Sequence, residues 1–194
     1  MARSAGRWRA WRLCLAVALA AVLLPAGGYA GWHYLTGNVH TVIDGELYRS
    51  ATLSPTRLKD VIATRGIRTI VNLRGTAEAR EWYREESRIA AAAGIRLVDL
   101  SWSARRELTD AEVATFIAAM KDAPRPILIH CYSGSDRTGL ASAIYLAALK
   151  KADEVTAEAQ LSLRYGHFSL PFMPYYAMDA TFDRMEPSFG YPPD

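Results

Sequence analysis

Ile127-Leu-Ile-His-Cys131-Tyr-Ser-Gly-Ser-Asp-Arg137-Thr-Gly-Leu-Ala-Ser-Ala-Ile-Tyr145 is a short apolar run, a compact polar loop and an apolar helical pattern. It reads as strand, loop and helix. A cysteine at the strand end, an arginine six positions on, Gly134 between them and a helix opening at Thr138 together make a site for a tetrahedral oxyanion. Backbone N–H groups from Tyr132 through Ser133, Gly134 and Ser135 to Arg137 can curl round the anion, and the positive end of the helix dipole lies beneath it. The same field favours the thiolate of Cys131 and so makes it a nucleophile.

The pattern His130-Cys131-x5-Arg137-Thr138 resembles the signature of cysteine-dependent protein tyrosine and dual-specificity phosphatases, and residues 39–163 look like their catalytic domain. The resemblance implies that Cys131 attacks phosphorus to form a phosphocysteine that water then cleaves. It implies that Arg137 holds two phosphate oxygens through its planar fork, with the Thr138 hydroxyl placed to hydrogen-bond the Cys131 sulfur, His130 supporting the loop and Arg74 at the pocket edge. It requires neither metal nor cofactor. Rhodaneses carry a similar loop that is typically one residue shorter, so the longer spacing here suits a phosphate-sized guest.

The leaving oxygen needs a proton. Dual-specificity phosphatases usually supply it from an aspartate in the loop before the preceding helix, but residues 101–107 contain none. Three candidates remain. Asp136, next to Arg137, occupies the place of the loop acid in myotubularin-type inositide phosphatases and is preferred; Asp99 and Glu107 are the alternatives. The resemblance implies a phosphorylated protein as substrate, with a phosphoinositide or inositol phosphate as the alternative that Arg74, Arg105 and Arg106 would suit. A phosphate-binding pseudophosphatase is the non-enzymatic alternative.

The chain has 194 residues, 51% of them hydrophobic, enough for one globular domain with a short appendage. Four of its 23 basic residues (Arg3, Arg7, Arg9 and Arg12) precede the first acidic one, leaving 19 basic against 20 acidic. The globular part is therefore near neutral and makes no case for nucleic-acid binding. Its two cysteines, Cys14 and Cys131, do not suggest a structural disulfide.

Residues 1–12 form a basic terminus, and residues 13–35 lack Asp, Glu, Lys and Arg, a length that can cross a bilayer. A cleaved secretory signal competes with an uncleaved anchor. Aromatic residues at both ends (Trp8 and Trp11; Tyr29, Trp32 and Tyr34) favour the anchor, and in either case the arginines stay inside while residues 36–194 are exported.

Further on, the sequence predicts extended structure over 39–50 with a turn at Asp44-Gly45, a helix over 55–65 opened by Ser54-Pro55, and a strand over 67–73. A helix over 76–93 and a strand over 95–100 follow. Thr109 and Glu112 form a capping box opening a helix to Lys121. Helices over 138–149, 153–163 and about 175–185 complete the chain. Strand and helix alternate, so the fold class is α/β, a mainly parallel sheet flanked by helices and preceded by the N-terminal apolar helix.

Overall fold

A computed structural model of the chain describes residues 2–192. It comprises two units, residues 1–36 and 37–194. The first is one helix, α1 (Ala2–Thr36), whose segment Cys14–Thr36 has a mean hydropathy of 1.8 and is long and apolar enough to cross a membrane.

The second unit is built on a five-stranded sheet. Strands β1 (His40–Ile43), β2 (Leu47–Ala51), β3 (Thr69–Asn72), β4 (Arg96–Asp99) and β5 (Ile127–Cys131) lie in the order β1-β2-β5-β3-β4. Only β1 is antiparallel, paired with β2 across the Asp44-Gly45 turn; the other pairs are parallel. β5 sits in the middle with every residue buried, which is why its stretch is uniformly apolar up to His130. Its register pairs Ala51 with Cys131 and Asn72 with His130, so the ends of β2, β3 and β5 converge on one edge. Ligands of parallel sheets bind at such an edge.

Each face of the sheet carries a core. On one, α2 (Pro55–Arg65) and α3 (Glu81–Ala92) bury Leu58, Val61 and Ile89 against Ile70 and Leu128. On the other, α4 (Asp110–Lys121), α5 (Asp136–Ile144) and α7 (Ala177–Phe189) bury Val113, Phe116, Leu140, Ile144 and Phe182 against Val71, Ile127 and Ile129. The short α6 (Glu154–Glu158) packs Ala157 into the same core. α5 lies beneath the polar loop and is buried from Thr138 onward.

The local signals act as their chemistry dictates. Ser54 accepts from the Arg57 N–H, and Gly66 closes α2 at φ 63°. The Thr109 hydroxyl accepts from the Glu112 N–H at 3.2 Å, while the Glu112 carboxylate accepts from the Thr109 N–H at 2.8 Å.

The largest departures from the sequence reading are at helix boundaries. Residues 76–80 are loop because the turn after β3 is fastened by side chains, and α3 begins only at Glu81. The helix after the polar loop starts at Asp136, two residues early, and widens into a π-helix over Tyr145–Leu149. The helix expected over 153–163 stops at Glu158, because Leu161 and Tyr165 turn inward through a 3₁₀ turn at Leu163–Tyr165. The last helix runs four residues past Met185, to Phe189, burying Phe189 in the core.

Phe116 is fully buried and packs on Trp102, ring centroids 5.3 Å apart. Phe116→Ala is expected to lower unfolding free energy by about 3–5 kcal/mol, whereas Thr109→Ala, losing only a cap, costs about 1 kcal/mol. Urea unfolding of the two variants checks the contrast.

Candidate active site

The loop of residues 131–137 joins β5 to α5 at the C-terminal edge of the sheet. Five successive carbonyls of this loop accept hydrogen bonds from groups outside it. The Thr52 hydroxyl donates to Cys131 O at 2.9 Å and the Thr52 N–H to Tyr132 O at 3.3 Å. Asn38 Nδ2 donates to Ser133 O at 3.0 Å. Arg49 Nη2 donates to Gly134 O at 2.9 Å and Ser135 O at 3.3 Å. In a trans peptide the C=O and the following N–H point in opposite directions. Carbonyls held outward therefore turn the N–H groups of residues 132–136 inward, forming a cradle of donors for an anion.

Arg49 is fully buried on β2. Its Nη1 donates to both Gln160 O and Gln160 Oε1 at 2.9 Å, and its guanidinium lies 3.9 Å from the Tyr165 ring centroid. Burial pulls its pKa down to about 10, opposed by nearby Tyr165, Cys131 and Asp136, so it remains a cation at neutral pH. Gly134 has φ 75°, and a Cβ there would meet Ala51 N and Ser50 C at 2.6 Å. The loop is thus pressed onto the backbone of β2 at a point only glycine fits.

Within the cradle, Cys131 is 1% exposed. Arg137 Nη1 donates to Leu73 O at 3.2 Å and Trp102 O at 3.1 Å, which anchors the guanidinium to the loops after β3 and β4. Its Nε is buried and has no hydrogen-bond partner among the described residues. One edge of the fork is therefore left for oxygen atoms. Arg74 stacks on Trp82 at 3.6 Å and lies 5.2 Å from the Tyr132 ring, with Nη1 donating to the Thr52 hydroxyl at 2.9 Å. Burial, and then the charge of Arg137, lower its pKa, which marks two cations converging near Cys131.

The remaining sequence-predicted residues separate clearly. Ser133 and Ser135 contribute backbone, and exposed Tyr132 stands at the rim. The Thr138 hydroxyl is buried but makes no hydrogen bond among the described residues, so it does not bond the Cys131 sulfur. His130 reaches Glu86 of α3 at 3.0 Å and does not brace the loop by its side chain. Asp99 is committed on both oxygens, to Asn72 at 2.7 Å and Tyr83 at 2.5 Å. Glu107 accepts from Arg184 at 3.1 Å, and Arg106 is paired with Glu112 at 2.7 Å. Asp136 opens α5, with Oδ1 2.8 Å from His167 Nδ1.

Residues 26–165 match the model of the tyrosine phosphatase family. The chain belongs to that family and is a cysteine-dependent phosphatase. Comparison with curated protein sequences gives no match. Among solved structures it resembles a cysteine-to-serine variant of P. aeruginosa TpbA in complex with pTyr, with 24% identity and a TM-score of 0.56 over 76% of this chain and 83% of that one. It also resembles the core catalytic domain of the PP-IP phosphatase SIW14 from S. cerevisiae in complex with citrate. Identity there is 19%, and the TM-score is 0.57 over 79% of this chain and 93% of that one. At these identities the likeness shows a shared fold.

Gly134→Ala is expected to displace the loop from β2 and reduce kcat/KM on the order of 100-fold, comparable to losing an oxyanion donor. Steady-state kinetics, with circular dichroism to verify the fold, measure this.

Proposed function

We propose that this phosphatase hydrolyses phosphotyrosine in proteins, with Cys131 as nucleophile, Arg137 and the loop amides as the phosphate cradle, and Asp136 as proton donor. The observation that carries the reading is the set of five outward carbonyls, which turns the loop N–H groups onto one point beside Cys131. The Cys131 thiolate attacks phosphorus and the P–O bond to the tyrosine oxygen breaks. Asp136 gives that oxygen its proton. Water then attacks the phosphocysteine, its proton returns to Asp136, and phosphate and thiolate are released. The amides and the free edge of Arg137 meet charge on the equatorial oxygens as it builds, without reorganising.

The rim favours an aryl ester. Tyr132, Arg74 and Trp82 form a stacked aromatic wall beside the loop, whereas Arg106, which would serve a polyphosphorylated ring, is engaged by Glu112. The apolar segment Cys14–Thr36 preceded by arginines supports attachment to a membrane with the catalytic unit exported.

The test is phosphate release by the detergent-solubilised full chain under reducing conditions, from a phosphotyrosine peptide, a phosphoserine peptide and dispersed phosphoinositides. Preferential release from the phosphotyrosine peptide, abolished by Cys131→Ser, is the expected result. Preferential release from the lipids would replace the substrate assignment. No release by folded protein would point to a phosphate-binding module.

A further inference from the structure

Beside the loop lies a buried row of titratable groups that the phosphoryl transfer itself does not consume. His167, fully buried, has Nδ1 2.8 Å from Asp136 Oδ1 and Nε2 2.8 Å from Asp179 Oδ2. Asp179 sits in the first turn of α7, and its Oδ1 accepts from the Ser169 hydroxyl at 2.6 Å. The backbone fixes the ring from behind: Gly166 takes φ 87° after the 3₁₀ turn, and the His167 N–H donates to Ser162 O at 3.1 Å.

An imidazole with a carboxylate at each nitrogen donates from both, which is the imidazolium form. Burial alone would disfavour that charge. The hydrogen bonds and charges of Asp136 and Asp179 outweigh burial and raise the His167 pKa from 6.5 to about 9. Those two carboxylates are the charged groups acting on the ring. Asp136 is faced in turn by His167 and, from β2, by Arg49.

We infer that His167, held between Asp136 and Asp179, is a positioning residue for the proton donor. It binds Oδ1 of Asp136 and leaves Oδ2 to exchange the proton. The inference rests on the assignment of Asp136 as that donor. A cation against Oδ1 stabilises the carboxylate that proton donation creates, the form that next receives the proton of water. The sign follows. A donor must be protonated, so kcat/KM falls as pH rises past its titration. An adjacent cation moves that fall to lower pH, and removing the cation moves it back up. Asp179 makes no hydrogen bond to Asp136 among the described residues; it holds the far nitrogen of His167.

The experiment is the pH profile of kcat/KM for a phosphotyrosine peptide with the full chain and its His167→Asn and Asp136→Asn variants. Asparagine at 167 offers an amide near the position of Nδ1 without the charge. The descending limb is expected to move up in the His167→Asn variant. A merely structural clamp would lower the rate without moving the limb. A limb unmoved in folded His167→Asn, with Asp136→Asn impaired, overturns the inference and leaves the donor assignment standing. A wild-type rate and limb in Asp136→Asn overturns the donor assignment and the inference with it. Should the variants not fold, the ring ¹⁵N spectrum of the wild-type chain decides. Two protonated nitrogens on His167 at pH 7 support the inference, and a neutral ring overturns it.

Discussion

The structure depends on the direction in which five peptide carbonyls point. A loop that binds phosphate through backbone N–H groups must turn its carbonyls the other way, into the protein, where each needs a donor. Asn38, Arg49 and Thr52 supply those donors from β2 and its flanks. The edge of β2 is thus a mould for the loop, and Gly134 is the point of closest approach to it. Remove the mould and the outward carbonyls lose their reason to face outward. The N–H groups would then have no fixed direction.

Burying Arg49 is the cost of this arrangement. A guanidinium inside a protein must replace its water shell. Four acceptor contacts from Gln160, Gly134 and Ser135 and the face of Tyr165 replace most of it, Nε being left without a hydrogen-bond partner among the described residues, and they tie residues 160–165 to the underside of the loop. The same segment carries on to His167, so one stretch of chain braces both the loop carbonyls and the carboxylate of Asp136. With Arg74 and Arg137 on the other side, positive charge surrounds a nearly inaccessible thiol. That suits a reaction in which a dianionic group is gripped, transferred to sulfur and released.

How much of this was legible in the sequence depends on distance along the chain. The run from Ile127, the Cys131-to-Arg137 spacing and Gly134 are contiguous, and each needs its residue type for a local reason, so the loop and the central strand could be read. Alternating apolar segments revealed the parallel sheet, and Ser54, Thr109 and Glu112 marked their helix starts. Asn38 and Arg49 could not be assigned, because they are single polar residues whose loop partners lie 95 and 85 positions away. His167 and Asp179 were silent for the same reason. An arginine within the buried pattern of β2 was the one available signal, since a charge between buried neighbours must find acceptors. Asp99, an alternative proton donor by sequence, has both oxygens bound by Asn72 and Tyr83, partners that the sequence does not mark.

The cradle itself is tested most directly by ¹⁵N–¹H spectra of the Cys131→Ser chain titrated with inorganic phosphate. The account predicts that the largest, saturable shifts fall on the backbone amides of residues 132–136 and on Arg137 Nε, the donors turned toward the anion. Saturable phosphate binding that leaves those amides unmoved, with the shifts centred elsewhere, would contradict it.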